Sequence, residues 1–358
     1  MQQTIKDKIE SIIRNSNADE REIIFQLKKL LYEDEIQNVV EKDSKSITEL
    51  ISENINQMRV PTKSNKIATS FIELDKDFGF ALGEFIVIGG RPAMGKTQLL
   101  VNLALNISTT APVLYYTFDL SASLLTNRFI STLSGKPISS ILDDEVSNEM
   151  LDVLNAKVEK HQLFINDSFN QSMPAFKAHC QKMIEEKGVK VIFVDYLQLM
   201  GSYKYNKYRE SEIAYICREL KSIAKDFNVC VIATSQLSRA VESRGGDKIP
   251  VLSDLRDSGA IEQDADKVIF IYRPEYYGIT EDRDGNSTAG LTELIIAKNR
   301  NGKIGTTNIL RDANFTSFRD FDHYKEDFSF SKERLDEMTA QNPATKYLID
   351  KFDNFDIF

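Results

Sequence analysis

Residues 85–97 read FIVIGGRPAMGKT, and this stretch decides the fold. An apolar run typical of a buried strand leads into the pattern GxxxxGK(S/T), and an apolar helical segment that begins near Gln98 follows it. The glycines of such a loop let backbone N–H groups surround phosphate oxygens, and the amino-terminal end of the helix adds a favourable dipole. The sequence therefore predicts a P-loop, with a chance glycine-rich turn as the alternative.

The nucleotide-binding candidates are the eight residues of the pattern: Gly90, Arg91, Pro92, Ala93, Met94, Gly95, Lys96 and Thr97. Lys96 can reach the β and γ phosphates of ATP, and the Thr97 hydroxyl can hold Mg²⁺. A P-loop also requires a carboxylate on the metal side, and Asp195 ends the apolar run Val191–Val194. The alternative for Asp195 is an aspartate that caps the next helix. ATP and Mg²⁺ are the predicted cofactors.

Short apolar, β-branched runs alternate with helical segments between about residue 67 and residue 322. They are Phe85–Ile88, Val113–Tyr116, Val191–Val194, Val229–Ala233, Val268–Tyr272 and Leu294–Ala297. This alternation is typical of a doubly wound α/β fold with a mostly parallel central sheet. Gln236 follows the fourth run, where a glutamine can sense a γ-phosphate or orient water. Taken alone, a glutamine at that position is more often an ordinary surface residue.

The pattern predicts a small, all-helical appendage before the α/β region. Helix-period apolar residues indicate three amphipathic helices within residues 1–60, and the last begins at the capping-box pattern Ser46-Ile47-Thr48-Glu49. Turn-prone residues 61–65 follow, so the predicted domains are 1–60, 61–322 and a charged, aromatic tail at 323–358. The tail contains a short helix candidate near Lys332–Met338.

Composition narrows the protein classes. With 358 residues, of which 42% are hydrophobic, the chain can form one sizeable domain and a smaller one. Its 3 cysteines have neither metal-ligand nor redox spacing, which favours a reducing cytoplasm. No apolar run is long enough to span a membrane. The net charge of -9 argues against a surface that binds nucleic acid everywhere, but it allows a local basic channel.

Five blocks of sequence resemble, in the same order, the motor domain of DnaB-type replicative helicases. They are residues 90–97 (GRPAMGKT), 194–200 (VDYLQLM), 235–239 (SQLSR), 253–266 (SDLRDSGAIEQDAD) and 297–302 (AKNRNG). The second and fourth blocks distinguish this family from other RecA-like ATPases. The resemblance covers roughly residues 60–320 and implies a RecA-like P-loop ATPase that translocates on single-stranded DNA and unwinds duplex as a ring-shaped homohexamer.

In such a ring ATP lies between subunits, so the neighbour supplies part of each site. The resemblance assigns Lys298 and Arg300 to this role. Residues two apart on a strand project to the same face, where both cations could meet phosphate oxygens as an arginine finger does. The alternative is a solvated basic strand end.

The family places loops around a single DNA strand, and two segments of this chain match them. Arg256, Asp257 and Gly259 correspond to one loop, which can grip phosphates without recognising sequence. After Asp195, residues 203–209 interleave tyrosines with the cations Lys204, Lys207 and Arg209, a composition suited to bases and phosphates. An exposed mobile loop with incidental charge explains this second segment equally well.

One residue departs from the family pattern at the catalytic position. Family members usually carry a glutamate that activates the attacking water near the end of the strand after the P-loop helix, whereas this chain has Asp119 there. Because aspartate is one methylene shorter, hydrolysis is slow unless the site compensates.

The two ends of the chain are candidate binding segments for partner proteins. The helix at 46–59 resembles the family's linker helix, which docks on the adjacent motor, but only about 45 residues precede it. Primase, a loader, a polymerase or a single-strand-binding protein are the candidate partners. The reduced size fits a helicase of a phage, plasmid or other mobile element. The tail resembles acidic, phenylalanine-ending docking segments, although it could instead fold back onto the motor.

Two other functions fit a RecA-like ATPase. One is a recombination or repair ATPase that forms filaments or rings without unwinding DNA. The other is a ring in which nucleotide binding switches the assembly or loading of other proteins. The Arg256 block and the Lys298–Arg300 block favour the helicase over both.

Overall fold

The computed structural model describes residues 45–59, 65–142, 147–168, 172–201, 209–255, 259–282 and 285–321, together with isolated helical positions between residues 9 and 30. The chain divides into two units, Met1–Ser64 and Asn65–Phe358. The predicted tail and its helix candidate lie outside the described residues, as do residues 202–208 and 256–258. Among the helices that the structure describes, none is long and apolar enough to cross a membrane.

Helix α1 (Ile47–Arg59) belongs to the first unit and begins at the predicted capping box. The backbone N–H of Ser46 donates to Glu49 Oε2 at 2.8 Å, and the backbone N–H of Glu49 donates to Ser46 Oγ at 3.2 Å. Hydrogen bonding by the Ser46 backbone, and then by its side chain, lowers the pKa of the Glu49 carboxyl. The helix exposes four apolar side chains along its length: Ile47, Leu50, Ile51 and Ile55.

The second unit contains a 9-stranded sheet with the order β11-β10-β9-β8-β3-β7-β6-β4-β5. Its strands are β3 (Phe85–Gly90), β4 (Val113–Thr117), β5 (Leu163–Asn166), β6 (Val191–Asp195), β7 (Cys230–Gln236), β8 (Lys267–Tyr272), β9 (Leu291–Asn299), β10 (Gly305–Arg311) and β11 (Phe318–Asp320). Strands β8, β3, β7, β6, β4 and β5 are parallel, and β9, β10 and β11 add an antiparallel edge. A short antiparallel pair precedes the sheet, β1 (Lys66–Ile67) and β2 (Phe80–Ala81).

The mostly parallel α/β sheet predicted from the sequence is confirmed, and five of the six predicted runs lie wholly in a strand, while the sixth, Val229–Ala233, begins one residue before β7. The helices of this unit are α2 (Ile72–Asp77), α3 (Lys96–Ser108), α4 (Ala122–Ser134), α5 (Ile138–Leu142), α6 (Asn148–Val158), α7 (Met173–Lys187), α8 (Arg209–Asp226), α9 (Ala240–Ser243) and α10 (Gly259–Asp264). Serine side chains cap three of them, since Ser121, Ser147 and Ser172 accept backbone N–H bonds from the first turns of α4, α6 and α7.

Strand β3 lies between β7 and β8 at the middle of the sheet, and all its residues are buried. Side chains alternate between faces along a strand, so Ile86 and Ile88 enter the core cluster that contains the apolar side of α3. Phe85 and Val87 enter the cluster on the other face, which contains the apolar side of α8. Burial on both faces explains why this strand is an uninterrupted apolar run.

We expect Gly89→Ala to destabilise the second unit, because β3 has no space for a methyl group there. An added Cβ would lie 2.8 and 2.9 Å from two ring carbons of Phe270 and 3.2 Å from Leu237 Cδ2. Overpacking of a buried site costs about 1–3 kcal/mol of unfolding free energy, which urea unfolding can measure. Gly245→Ala is the matched control, since nothing lies within 4 Å of its added Cβ. Equal unfolding midpoints for both variants would refute the steric argument.

Candidate active site

A cavity of about 500 Å³ opens at the carboxyl ends of the parallel strands. Its lining comprises Pro92, Ala93, Gly95, Lys96, Thr97, Gln98, Asp119, Arg128, Asp195, Tyr196, Gln236 and Phe315. The ends of β3, β4, β6 and β7 each contribute, as expected when parallel strands terminate at one edge of a sheet. The structure therefore brings together Lys96, Thr97, Asp119, Asp195 and Gln236, which the sequence patterns indicated separately.

The backbone of the P-loop turns through two left-handed residues, Ala93 with φ 63° and Gly95 with φ 96°. Two of its side chains point away from the cavity. Met94 is buried in the core, and the buried Arg91 guanidinium donates to Glu242 Oε1 and to the carbonyl of Leu237. Arg91 thus ties the P-loop to the segment after β7, and neither Arg91 nor Met94 is among the residues that line the cavity.

The ammonium group of Lys96 donates to the carbonyl oxygens of Gly90 at 2.9 Å and Arg91 at 3.0 Å. Burial lowers the pKa of Lys96 to about 8, and the Arg91 charge acts in the same direction, against the opposing effects of Asp195 and Asp119. Among the cavity groups whose pKa is clearly shifted, Lys96 is therefore the one that titrates nearest to physiological pH.

Two hydroxyl groups orient the buried Asp195 carboxylate. Thr234 Oγ1 donates to Oδ1 at 2.6 Å, and the Tyr115 hydroxyl donates to Oδ2 at 3.1 Å. A carboxylate offers about four acceptor positions, so two remain. Burial, with the charge of Asp195, raises the pKa of Tyr115 well above its ordinary value, which keeps that donor protonated.

The donors near Asp195 fit Mg²⁺. Thr97 and Asp119 line the same cavity, so its oxygens come from a hydroxyl group and carboxylates, which are hard ligands. Within the described ranges no three His, Cys, Asp or Glu side chains form a metal cage. Few protein ligands suit an ion that takes most of its remaining oxygens from phosphates and water.

Asp119 is exposed at the rim of the cavity, on the short segment after β4. The Thr117 hydroxyl fixes this segment, since it donates to the carbonyl of Leu120 at 2.8 Å and accepts the Leu120 N–H at 3.1 Å. The backbone that carries Asp119 is therefore held at both ends of a tight turn.

Gln198, for which the sequence patterns predicted no role, fixes the end of β7. Its Oε1 accepts the backbone N–H of Gln236 at 3.2 Å, and its Nε2 donates to Ser235 Oγ at 2.8 Å and to the Gln236 carbonyl at 3.4 Å. The Gln198 side chain thus hydrogen-bonds the last two residues of β7. The one signal in the sequence is its place in the 194–200 block.

Phe315 and Arg128 line the cavity without any sequence signal. Phe315 has φ 57°, and the Arg311 guanidinium lies 3.5 Å from the centre of its ring. Arg273 lies 5.1 Å from the same ring and donates to the Ala93 carbonyl at 3.1 Å. Arg128 comes from α4. Lone residues on a turn and a helix form no recognisable motif.

Glu275 holds the two arginines that support Phe315. Its Oε1 lies 2.5 Å from Arg273 Nη2 and 2.8 Å from Arg311 Nη2, and Oε2 accepts the Gly290 N–H. Burial opposes ionisation of this carboxyl, but these hydrogen bonds outweigh burial and lower its pKa to about 2. The part of the cavity wall that Phe315 forms is therefore supported by the charged Glu275 carboxylate.

Lys298 and Arg300 lie near the amino-terminal ends of the parallel strands, whereas the cavity lies at their carboxyl ends. Strand β9 is antiparallel to β8, and Asn299 pairs with Lys267, which itself pairs with Ile86 at the beginning of β3. Neither cation lines the cavity among the residues that the structure describes. Both contact the Gln263 carbonyl at the end of α10, so they project to the same face, as the sequence predicted. Burial and the charge of Arg300 lower the pKa of Lys298.

The DNA-binding candidates are only partly described. Lys204, Lys207, Arg256 and Asp257 lie outside the described residues, whereas Gly259 begins α10 and Arg209 begins α8. The Arg209 guanidinium donates to the Glu212 carboxylate and to the carbonyl of Gln198. Arg209 is therefore tied to the base of its segment, next to the residue that fixes Gln236.

The family model for the DnaB-like helicase C-terminal domain matches residues 66–320. The chain belongs to the DnaB-like helicases. It is 36% identical over 321 residues to a probable replicative DNA helicase of Trieres chinensis, an alignment that covers 86% of this chain and 69% of that protein. The predicted family is thereby confirmed, and the chain is an ATP-hydrolysing, DnaB-like replicative DNA helicase.

Two solved structures share the fold. An ATPase domain solved on its own superposes with a TM-score of 0.69 at 31% identity, covering 78% of this chain and 100% of that domain. A DnaB-like replicative helicase, described with its interactions with primase, superposes with a TM-score of 0.68 at 29% identity, covering 88% of this chain and 76% of that one. The RecA-like sheet and its nucleotide-binding edge are therefore those of a DnaB-type ATPase domain.

We expect ATP binding to weaken as the pH rises above the pKa of Lys96, which burial lowers to about 8. Bound phosphates favour the charged ammonium and raise its pKa, so binding above that pH must take up a proton. Affinity should be constant on the acid side and decline on the alkaline side. Calorimetry in buffers of different ionisation enthalpy measures both affinity and proton uptake.

The control for this titration is Lys96→Arg, whose guanidinium stays charged in this range. Its ATP affinity should lack the alkaline decline. Constant affinity of the wild-type protein up to about pH 9.5, without proton uptake, would contradict the depressed pKa of the lysine.

Proposed function

We propose that this chain forms a cytoplasmic homohexamer, in a bacterial cell or in the host of a mobile element. Each subunit hydrolyses ATP with Mg²⁺ at a site that its neighbour completes, and the ring moves along single-stranded DNA to unwind duplex. One observation carries the proposal: Lys298 and Arg300 lie at the edge of the sheet opposite their own P-loop. The two halves of a catalytic site are present, but on opposite sides of one subunit.

One half of the site is the cavity at the P-loop. Lys96 and the P-loop N–H groups bind the β and γ phosphates, and Thr97 with Asp195 would hold Mg²⁺, which neutralises phosphate charge when bound. Asp119 orients and deprotonates the attacking water, and Gln236 contacts the γ-phosphate. The hydroxyl groups of Tyr115 and Thr234 and the amide of Gln198 position these groups before ATP binds.

The other half comes from a neighbouring copy. Strand β3 has 6 residues, so the two edges of the sheet are separated by about 20 Å. A lysine or arginine side chain cannot cover that distance, and Lys298 and Arg300 can therefore serve only another subunit's ATP. An arginine finger of this kind is worth about a thousandfold or more in kcat. A ring satisfies every site in the same way, because each subunit gives and receives one finger.

The DNA side of the proposal rests on two helices that pack together, α8 and α10. Asp266, just after α10, pairs with Lys221 in the second half of α8. The segments before them carry the candidates Lys204, Lys207 and Arg209, and Arg256, Asp257 and Gly259. We place both segments at the DNA, where cations and backbone N–H groups bind phosphates without recognising sequence.

A short backbone connection joins the nucleotide to this DNA segment. Leu237, directly after Gln236, forms an antiparallel bridge with Leu255, and the Ser238 N–H donates to the Asp254 carbonyl at 2.8 Å. Residues 256–258 follow at once. A shift of Gln236 on γ-phosphate binding would therefore reach the proposed DNA contacts within a few residues.

The ends of the chain are the proposed partner-binding parts. We propose that the helical region 1–60 and the tail 323–358 flank the motor at 61–322. Helix α1 supports this role for the first region, because Ile47, Ile51 and Ile55 are exposed apolar side chains of the kind that form binding surfaces. Primase, a loader, a polymerase and a single-strand-binding protein are the candidates.

We expect Asp119→Glu to raise kcat for ATP severalfold with little change in KM. The longer side chain brings the carboxylate closer to the attacking water, and the Thr117–Leu120 bonds that fix the turn are unaffected. Steady-state ATPase assays with saturating single-stranded DNA provide the test, and Asp119→Asn, which cannot accept the proton, is the inactive control. Undiminished turnover in Asp119→Asn would remove Asp119 from the water-activating role.

Mixtures of two inactive variants test the shared site. Lys96→Ala loses the phosphate-binding ammonium but retains the finger, whereas Arg300→Ala retains the P-loop. In a random equal mixture, about a quarter of the sites have both intact halves. We expect DNA-stimulated ATPase activity and duplex unwinding to return on mixing. Wild-type hydrolysis by Arg300→Ala alone, or no recovery on mixing, would exclude the trans role.

A further inference from the structure

Asp266 lies where three parts of the motor meet, at the edge of the sheet opposite the ATP cavity. Its buried side chain accepts the Phe85 N–H at 2.8 Å and the Lys221 ammonium at 2.5 Å, both on Oδ2. Its other oxygen, Oδ1, is 3.7 Å from Arg300 Nη1. The backbone of Asp266 also binds Phe85 and Arg300. Its N–H donates to the Phe85 carbonyl, and its carbonyl accepts the Arg300 N–H at 2.9 Å.

We propose that Asp266 is a positioning residue for the finger, and that its carboxylate sets the direction in which Arg300 reaches the neighbouring subunit's ATP. This inference rests on the proposed trans role of Arg300. It assigns a function to a buried acid that does not line the ATP cavity.

The turn that carries Arg300 has a fixed backbone. The Asn299 amide donates to the Lys303 carbonyl at 3.0 Å, and a Cβ at Gly302 would lie 2.7 Å from that amide, so a larger residue there would displace the amide from this bond. The Asn301 amide donates to Glu84 at 3.3 Å, and Lys303 pairs with Asp77 at 2.9 Å. With the main chain held, the orientation of the Arg300 side chain is what remains to be set.

Two contacts set that orientation, and they leave the guanidinium available. Arg300 Nη2 donates to the Gln263 carbonyl, and Nη1 lies at ion-pair distance from Asp266. A guanidinium has five N–H donors, so several remain for phosphate oxygens. The side chain of Arg300 is 45% exposed and that of Asp266 only 7%. A half-exposed arginine is thus held by a rigid anion, which reduces the rotamer entropy lost when the finger engages.

The two carboxylate oxygens of Asp266 have different partners. Oδ2 satisfies the backbone of β3 and Lys221, whereas Oδ1 faces Arg300. Asparagine has the same shape and can still accept the Phe85 N–H, but it has no charge for Arg300. Asp266→Asn therefore separates the finger contact from the bond that holds β3.

The test uses full-length protein and ATPase assays with single-stranded DNA. We expect Asp266→Asn to lower kcat by about tenfold or more, with KM for ATP within about twofold, because it displaces a group that acts in the transition state. Mixing Asp266→Asn with Lys96→Ala should restore activity, because the first supplies the P-loop and the second the finger. Mixing it with Arg300→Ala should not, because both lack a working finger.

The matched control is Lys221→Gln. Both variants remove the Lys221–Asp266 ion pair, but only Asp266→Asn removes the charge beside Arg300. We expect Lys221→Gln to lower the thermal midpoint while kcat stays within about twofold of wild type. An equal loss of kcat in both variants would show that Asp266 only stabilises the fold.

The opposite mixing pattern would overturn the proposal. If Asp266→Asn damages its own P-loop through Phe85, activity returns with Arg300→Ala and not with Lys96→Ala. If Lys96→Ala and Arg300→Ala fail to complement each other, the trans site itself is wrong, and that result does not involve Asp266. Should Asp266→Asn not assemble, Asp266→Glu retains the charge but moves it by one methylene. Wild-type kcat in that variant would refute the positioning role.

Discussion

The burial of β3 between β7 and β8 is the constraint on which the rest of the motor depends. Both faces of the strand are covered by core clusters, and both edges are hydrogen-bonded, so its position and register have no freedom. The P-loop must begin where the strand ends. The same register fixes β8 and, through it, β9, which carries Lys298. One strand thus determines where the cavity opens and where Lys298 and Arg300 lie.

Several side chains that line the cavity share a common design, in which a second residue fixes each of them. Tyr115 and Thr234 orient Asp195, and Gln198 fixes Gln236. Glu275 supports Phe315 through two arginines. Groups that are positioned before the reaction need no reorganisation during it, and electrostatic stabilisation by fixed groups is usually the largest contribution to catalysis.

The sequence predicted the strands that are buried on both faces, because such strands are continuous apolar runs. It did not predict β5 (Leu163–Asn166), which is short and half-buried, or β10 (Gly305–Arg311), where threonines and an asparagine interrupt the apolar pattern. In the site, residues at strand ends were predictable because parallel strands terminate together. Arg128 and Phe315 were not, because tertiary packing brings them there. The motif included Arg91 but could not show that its side chain turns toward Glu242.

In the proposed nucleotide site, the hydrogen bonds of Lys96 to the Gly90 and Arg91 carbonyls make nucleotide entry an exchange and not a simple addition. An incoming ligand has to replace two good acceptors, and a buried ammonium left without them is costly. The β and γ phosphates offer several charged oxygens in return, whereas a monophosphate places nothing beside the lysine. The same exchange runs in reverse after hydrolysis, when the carbonyls take back the ammonium as phosphate departs. A P-loop that satisfies its own lysine thus selects polyphosphates on entry and eases the release of products.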